Sequence, residues 1–208
     1  MTARSPKDIR TRLDFWQAFT GACLALFIAI HLILEGSVVL SPSLTNLIAL
    51  FLESTCLAQI AAPCVILLIV VHFFIAARKM PVRAGELQIF INHSKAFKEW
   101  DTWLWLVQVV TALVIVVFAF CHVITVMTHL PITVSGSAER LQSGWIYFHL
   151  LFLPSVILHT GIGVWRLAVK YGYCLKEKRE AWRRKIWIVM GCYLVLGLLA
   201  LARVWFQG

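Results

Sequence analysis

VILHTGIGVWRLAVK, residues 156–170, sets one histidine, His159, inside an otherwise apolar run. Water cannot serve an imidazole there, and an ionisable group in a lipid-buried helix is costly enough to mark a functional position by default. Gly161 and Gly163 strip bulk from the helix just beyond it, leaving a surface on which something flat can lie. Arg166 and Lys170, one and two turns past Gly163, stand within reach of an acidic group on such a ligand. Taken alone, His159 equally fits a histidine hydrogen-bonded between helices, so the rest of the chain has to decide.

Hydrophobic residues make up 61% of the 208, against ~45–50% in soluble domains. A spanning helix needs ~20 mainly apolar residues, and five stretches qualify, at about 14–40, 56–79, 102–128, 144–170 and 184–206. No alternating strand pattern competes with them, so the expected fold is an all-α integral membrane protein of five transmembrane helices, one domain over 1–208. The first stretch is too long for a cleaved signal and lacks a small-x-small cleavage site.

The net charge of +9 suggests nucleic acid until its distribution is read. Basic residues gather in the N-terminal segment (Arg4, Lys7, Arg10, Arg12), in the second loop (Arg78, Lys79, Arg83, Lys95, Lys98) and in the fourth (Lys170, Lys176, Lys178, Arg179, Arg183, Arg184, Lys185). The other side holds only Arg140 and Arg203. That asymmetry places the N-terminus in the cytoplasm and the C-terminus outside, with a basic face suited to anionic lipid or a docked soluble partner rather than nucleic acid. The six cysteines form no C-x-x-C, which excludes covalent c-type haem attachment, and read as small apolar core residues.

Between the spans, 41–55 reads as a segment lying along the outer interface, 86–100 as an amphipathic stretch on the inner surface, and 132–144 as a short outer loop. Pro63 is expected to kink the second span and Pro131 to stop the third. Gly191 and Gly197 in the fifth suggest packing.

Four of the five spans carry an interior histidine: His31, His72, His122 and His159. At ~1.5 Å per residue from the cytoplasmic end, His31 lies ~22 Å in and His122 ~28 Å, while His72 lies ~9 Å and His159 ~16 Å in. They sort into an outer pair and an inner pair, each joining two helices. This is the geometry that clamps a porphyrin edge-on with a nitrogen on either face of the iron. His31 with His122 would hold an outer b haem, and His72 with His159 an inner one. Four unrelated core histidines would each bear an uncompensated cost in lipid, and the depths differ too much for one tetrahedral zinc.

These residues, with Leu13-Asp14-Phe15-Trp16-Gln17, Gly21, Arg78-Lys79-Met80-Pro81, Asp101-Thr102, Trp105, Gln108, the His159-x-Gly161 step and Arg166-Leu167-Ala168-Val169-Lys170, resemble the dihaem cytochrome b anchor of menaquinol:fumarate reductases and related succinate dehydrogenases. The resemblance runs from Leu13 to about Lys170. It implies a bacterial inner-membrane subunit of anaerobic respiration with two b haems on His31, His72, His122 and His159. It implies a flavoprotein and an iron–sulfur subunit docked on the cytoplasmic face, fumarate being reduced in those partners, and leaves open a dimer of heterotrimers. Menaquinol would be oxidised near the outer haem with Glu53 accepting a proton, and Glu35 is a second carboxylate one turn from His31. Gln17, Gly21, Trp105, Gly161 and Lys170 become haem contacts by the same resemblance, and Arg140, near the outer level, a propionate partner.

In family members proposed to carry compensating protons, a glutamate stands two residues before the histidine matching His159. Here it is Ile157, which relays no proton. The chain therefore either lacks transmembrane proton compensation or uses another route, which Glu35 could serve. The same parts also suit succinate:quinone reduction. A cytochrome b of a hydrogenase or formate dehydrogenase, and a haem-free transporter or scaffold, are the readings from other classes.

Overall fold

The computed structural model describes residues 6–80, 85–97 and 100–207. Arg4, Pro81, Arg83 and Lys98, used above in the reading of charge and motif, lie outside them. Among the described residues the chain is helical with no strand: α1 (Pro6–Leu40), α2 (Pro42–Ser54), α3 (Leu57–Ala77), α4 (Glu86–Phe97), α5 (Trp100–Thr128), α6 (Val134–Arg140), α7 (Ile146–Lys170) and α8 (Arg179–Trp205). Five stretches are long and apolar enough to cross a membrane, Arg10–Leu40, Leu57–Ala77, Thr102–Thr128, Val134–Lys170 and Lys176–Trp205. The all-α, five-span architecture expected from the sequence is the one observed.

Helix α1 packs on α3, α3 on α5, α5 on α7 and α7 back on α1, so α1 and α5 form one diagonal of a four-helix bundle and α3 and α7 the other. Helix α8 lies against α1 and α7 from outside. Lipid is as apolar as leucine, so small residues and close packing, rather than water exclusion, hold such helices together. Three glycines show it: a Cβ on Gly36 would meet Leu196 at 2.8 Å, one on Gly197 would meet Leu153 at 2.8 Å, and one on Gly161 would overlap Met190 Sδ. Apolar residues lie on both sides of the helices: Val38, Leu104, Ile162 and Trp165 are buried together with the hydroxyls of Thr20, Ser37, Thr111 and Ser155, while Leu26, Leu67, Phe74 and Ile124 face outward. Each of those hydroxyls bonds a carbonyl one turn back on its own helix, as a polar group in lipid must.

Several expectations are corrected. The outer loop 132–144 is largely helical: Thr133 caps α6 by accepting the Gly136 N–H at 3.1 Å. Val134 then buries against Val38 and Ala200, and the chain enters α7 through a kink at Gly144, whose φ of 107° suits glycine. The cysteines are not a core set. Only Cys174 is buried, whereas Cys56, Cys64, Cys121 and Cys192 are exposed, because a small apolar side chain costs nothing against lipid. Gly191, read as a packing position, would meet nothing within 4 Å on gaining a Cβ. The interfacial segment 41–55 and the amphipathic stretch 86–100 appear as α2 and α4.

At the inner end, Asp14 of α1 ties three segments together, pairing with Arg78 at the end of α3, with Lys79 at 2.8 Å and with Lys170 of α7 at 3.2 Å. At the outer end α2 is held over the α5–α6 corner by two side chains. Glu53 Oε1 accepts the Ile132 N–H at 2.6 Å, and Asn46 Oδ1 accepts that of Val134 at 2.9 Å.

Candidate functional site

The four interior histidines occupy the bundle diagonals. His31 on α1 and His122 on α5 face each other with ring centroids 6.3 Å apart and planes at 73°. Two imidazole nitrogens on opposite sides of one first-row metal ion stand about 4 Å apart, which puts the ring centres about 6 Å apart. The outer pair has that separation. His31 is stacked on Phe27 one turn back, centroids 5.4 Å apart. His149 of α7 joins the cluster at 5.8 Å from His122; its Nδ1–H donates to the Trp145 carbonyl at 2.9 Å. It comes from a helix next to α5, not diagonal to it, so a plate spanning the bundle is gripped by His31 and His122.

The inner pair is held differently. His72 on α3 sits 2.9 Å through Nδ1 from Thr20 Oγ1 of α1, with the Gln17 carbonyl also bonded to it. His159 on α7 sits 3.0 Å through Nδ1 from the Gln108 carbonyl of α5 and 3.4 Å from Thr111 Oγ1. A carbonyl only accepts, so in His159 Nδ1 carries the proton and Nε2 keeps its lone pair, the tautomer a metal ligand needs. His72 and His159 lie within electrostatic range of one another.

The other expected residues fall as follows. Gly21 lies against His72: a Cβ there would stand 3.0 Å from Cε1, so the missing side chain lets the imidazole sit flat on α1. Gln17 Oε1 is buried without a hydrogen-bond partner, and an orphaned amide one turn from Gly21 asks for a polar group that protein does not supply. Trp105 is half-buried three residues before Gln108 on α5. Gly161 faces Met190 of α8, and its missing side chain admits the close approach of that helix. Lys170 reaches Asp14, and its Nζ stands 5.6 Å over the Tyr171 ring. Arg140 donates to Ser137 Oγ at 3.0 Å and stands in electrostatic range of His122 and His149. Glu35 is within the same range of His149. Glu53 is half-buried at the outer rim, on Ile132 as described.

Thr20 and Thr111, whose hydroxyls meet His72 and His159, are the site neighbours that reading by motif missed. A signal was present: Gln17 and Thr20 precede His31 by 14 and 11 residues, and Gln108 and Thr111 precede His122 by the same 14 and 11.

Comparison with known proteins follows this geometry. Residues 89–200 match the profile of the succinate dehydrogenase/fumarate reductase transmembrane subunit. The chain is 32% and 33% identical over 203 residues to the fumarate reductase cytochrome b subunits of two Helicobacter pylori strains, covering 91% of this chain and 78% of theirs. It is 28% identical over 211 residues to the same subunit of Wolinella succinogenes, covering 94% and 82%.

Proposed function

Since the chain belongs to the succinate dehydrogenase/fumarate reductase transmembrane subunit family, and is a multi-pass membrane subunit of a fumarate reductase complex, we propose that it oxidises menaquinol near the outer face and conducts the electrons inward on two b haems. The observation that carries this reading is His31 facing His122 across one bundle diagonal, with His72 and His159 on the helices of the other diagonal, within electrostatic range of one another. His31 and His122 would hold the outer iron, His72 and His159 the inner one. Bound there, the two haems supply one-electron transfer across the bilayer.

The orphaned Gln17 amide and the clearance at Gly21 fit the edge of the inner group, with Trp105 and Lys170 nearby at that end of the bundle. The Arg140 guanidinium suits the acid edge of the outer one. Glu53 is at the rim where quinol protons must leave for water. A carboxylate held by the Ile132 N–H through one oxygen has the other to offer a quinol hydroxyl. The cytoplasmic ends of the helices, with Arg78, Lys79, Lys170 and the run from Lys176 to Lys185, form the face on which an iron–sulfur subunit and a flavoprotein would dock. Reduction of fumarate belongs to that partner flavoprotein. The positive-inside rule puts the N-terminus of this inner-membrane domain in the cytoplasm.

The test is a reduced-minus-oxidised optical spectrum of the purified subunit with its partners. Two b haems per chain are expected, and His72→Ala or His159→Ala removes one low-spin ferric signal and spares the other. Absence of tetrapyrrole from the parent protein refutes the reading.

A further inference from the structure

Helices α1 and α5 carry one pattern, Gln-x-x-Thr followed after ten residues by His, and the structure uses it twice in the same way. In each, the terminal histidine faces the outer centre, while the Gln-x-x-Thr step meets an inner histidine from the neighbouring helix: Gln17 and Thr20 meet His72 of α3, Gln108 and Thr111 meet His159 of α7. The pairs α1 with α3 and α5 with α7 are thus equivalent halves, arranged about a line running along the bundle between its diagonals. Among the described residues no such bond reaches a ring nitrogen of His31 or His122.

We infer that Thr20 and Thr111 are positioning residues of the inner centre, fixing the tautomer and ring orientation of His72 and His159 and thereby the strength with which they bind iron. The inference rests on the haem reading above. Each hydroxyl donates back to its own helix, Thr20 to the Trp16 carbonyl at 2.8 Å and Thr111 to the Val107 carbonyl at 2.7 Å. With its hydrogen committed there, each oxygen can only accept, so the facing Nδ1 must be the donor. The carbonyl three residues earlier accepts from the same side. Neither acceptor is charged, and both lie on the helix neighbouring the ligand-bearing one, so each bond also fixes the rotation of the ring. An imidazole that donates through Nδ1 is a better electron donor through Nε2 and stabilises ferric iron. The two halves are not equal in strength. Thr20 is the close partner of His72 at 2.9 Å, whereas Thr111 is 3.4 Å from His159 and the Gln108 carbonyl at 3.0 Å does most of the holding.

The experiment uses the assembled complex with Thr20→Val, Thr111→Val and the corresponding serine substitutions. Three quantities are read: the low-spin ferric signals, the midpoint potentials of both haems, and the rate at which haem passes to an excess of soluble apomyoglobin. Signals are assigned by comparison with His72→Ala. In Thr20→Val the inner signal is expected to move, the inner potential to rise and inner haem to leave about 10-fold faster. Thr111→Val gives the same changes, smaller, and the outer haem is unaffected by either. Serine restores parental behaviour, which general loosening of the bundle would not produce. Should a valine protein not accumulate, alanine, a strong helix former, takes its place in the same comparison. If the parent holds two haems and Thr20→Val leaves inner signal, potential and release rate unchanged, the inference falls while the two-haem reading stands. A parent without haem overturns both.

Discussion

Replacing Glu53 separates the clamp role seen in the structure from the proton role proposed for it. Its Oε1 accepts the Ile132 N–H at 2.6 Å and, with Asn46 on Val134, holds α2 over the α5–α6 corner. A hydrogen bond to a charged group contributes about 1.5–3 kcal/mol and a neutral one about 0.5–1.5 kcal/mol. Glutamine keeps a carbonyl oxygen for the Ile132 N–H, so Glu53→Gln weakens the corner by only about 1 kcal/mol, roughly fivefold in a local equilibrium. If Glu53 accepts the quinol proton, the same substitution removes a general base, worth about 100- to 10,000-fold in rate. The two effects differ by more than a decade. The assay is fumarate reduction by the assembled complex, driven either by a menaquinol analogue or by an artificial one-electron donor that bypasses this subunit. Glu53→Gln is expected to lose at least 100-fold with the quinol, to keep full activity with the artificial donor, and to retain parental haem content. Quinol-driven turnover within fivefold of the parent would refute the proton role and leave Glu53 as a clamp.

Gly161→Ala drives a Cβ toward Met190 Sδ and should lower thermal stability in detergent by about 1–3 kcal/mol. Met190→Ala in the same chain should relieve it, and additive losses would show that the contact is not the cause. Gly21→Val fills the space over His72, so the inner haem signal should be lost or displaced while the outer remains. Ile157, buried at 6% exposure, cannot carry a proton, so turnover in proteoliposomes should generate a membrane potential in the parent or, where Glu35 serves as the proton route, in Glu35→Gln. Opposing it costs ~2.3 kcal/mol per charge per 100 mV. A potential that stays unaltered both in the parent and in Glu35→Gln would refute this.

The sequence by itself determined what depends on solvent and on distance along a helix. Lipid admits only backbone satisfied within its own segment, so length and apolarity were sufficient to place five spans. A rise of 1.5 Å per residue, together with the charge asymmetry, assigned each histidine a depth. What faces what is a long-range property, and only the tertiary structure decided it. That Gly161 lies against Met190, that Glu53 holds a backbone amide 79 residues away, and that Thr20 and Thr111 meet the inner histidines all depend on neighbouring helices. The outer segment 132–144 looked like a loop because its seven-residue helix is too short to show a period; burial against α1 and α8 makes it fold. The Gln-x-x-Thr repeat was legible throughout, but two polar residues in a spanning helix acquire meaning only when the imidazole they hold is seen across from them.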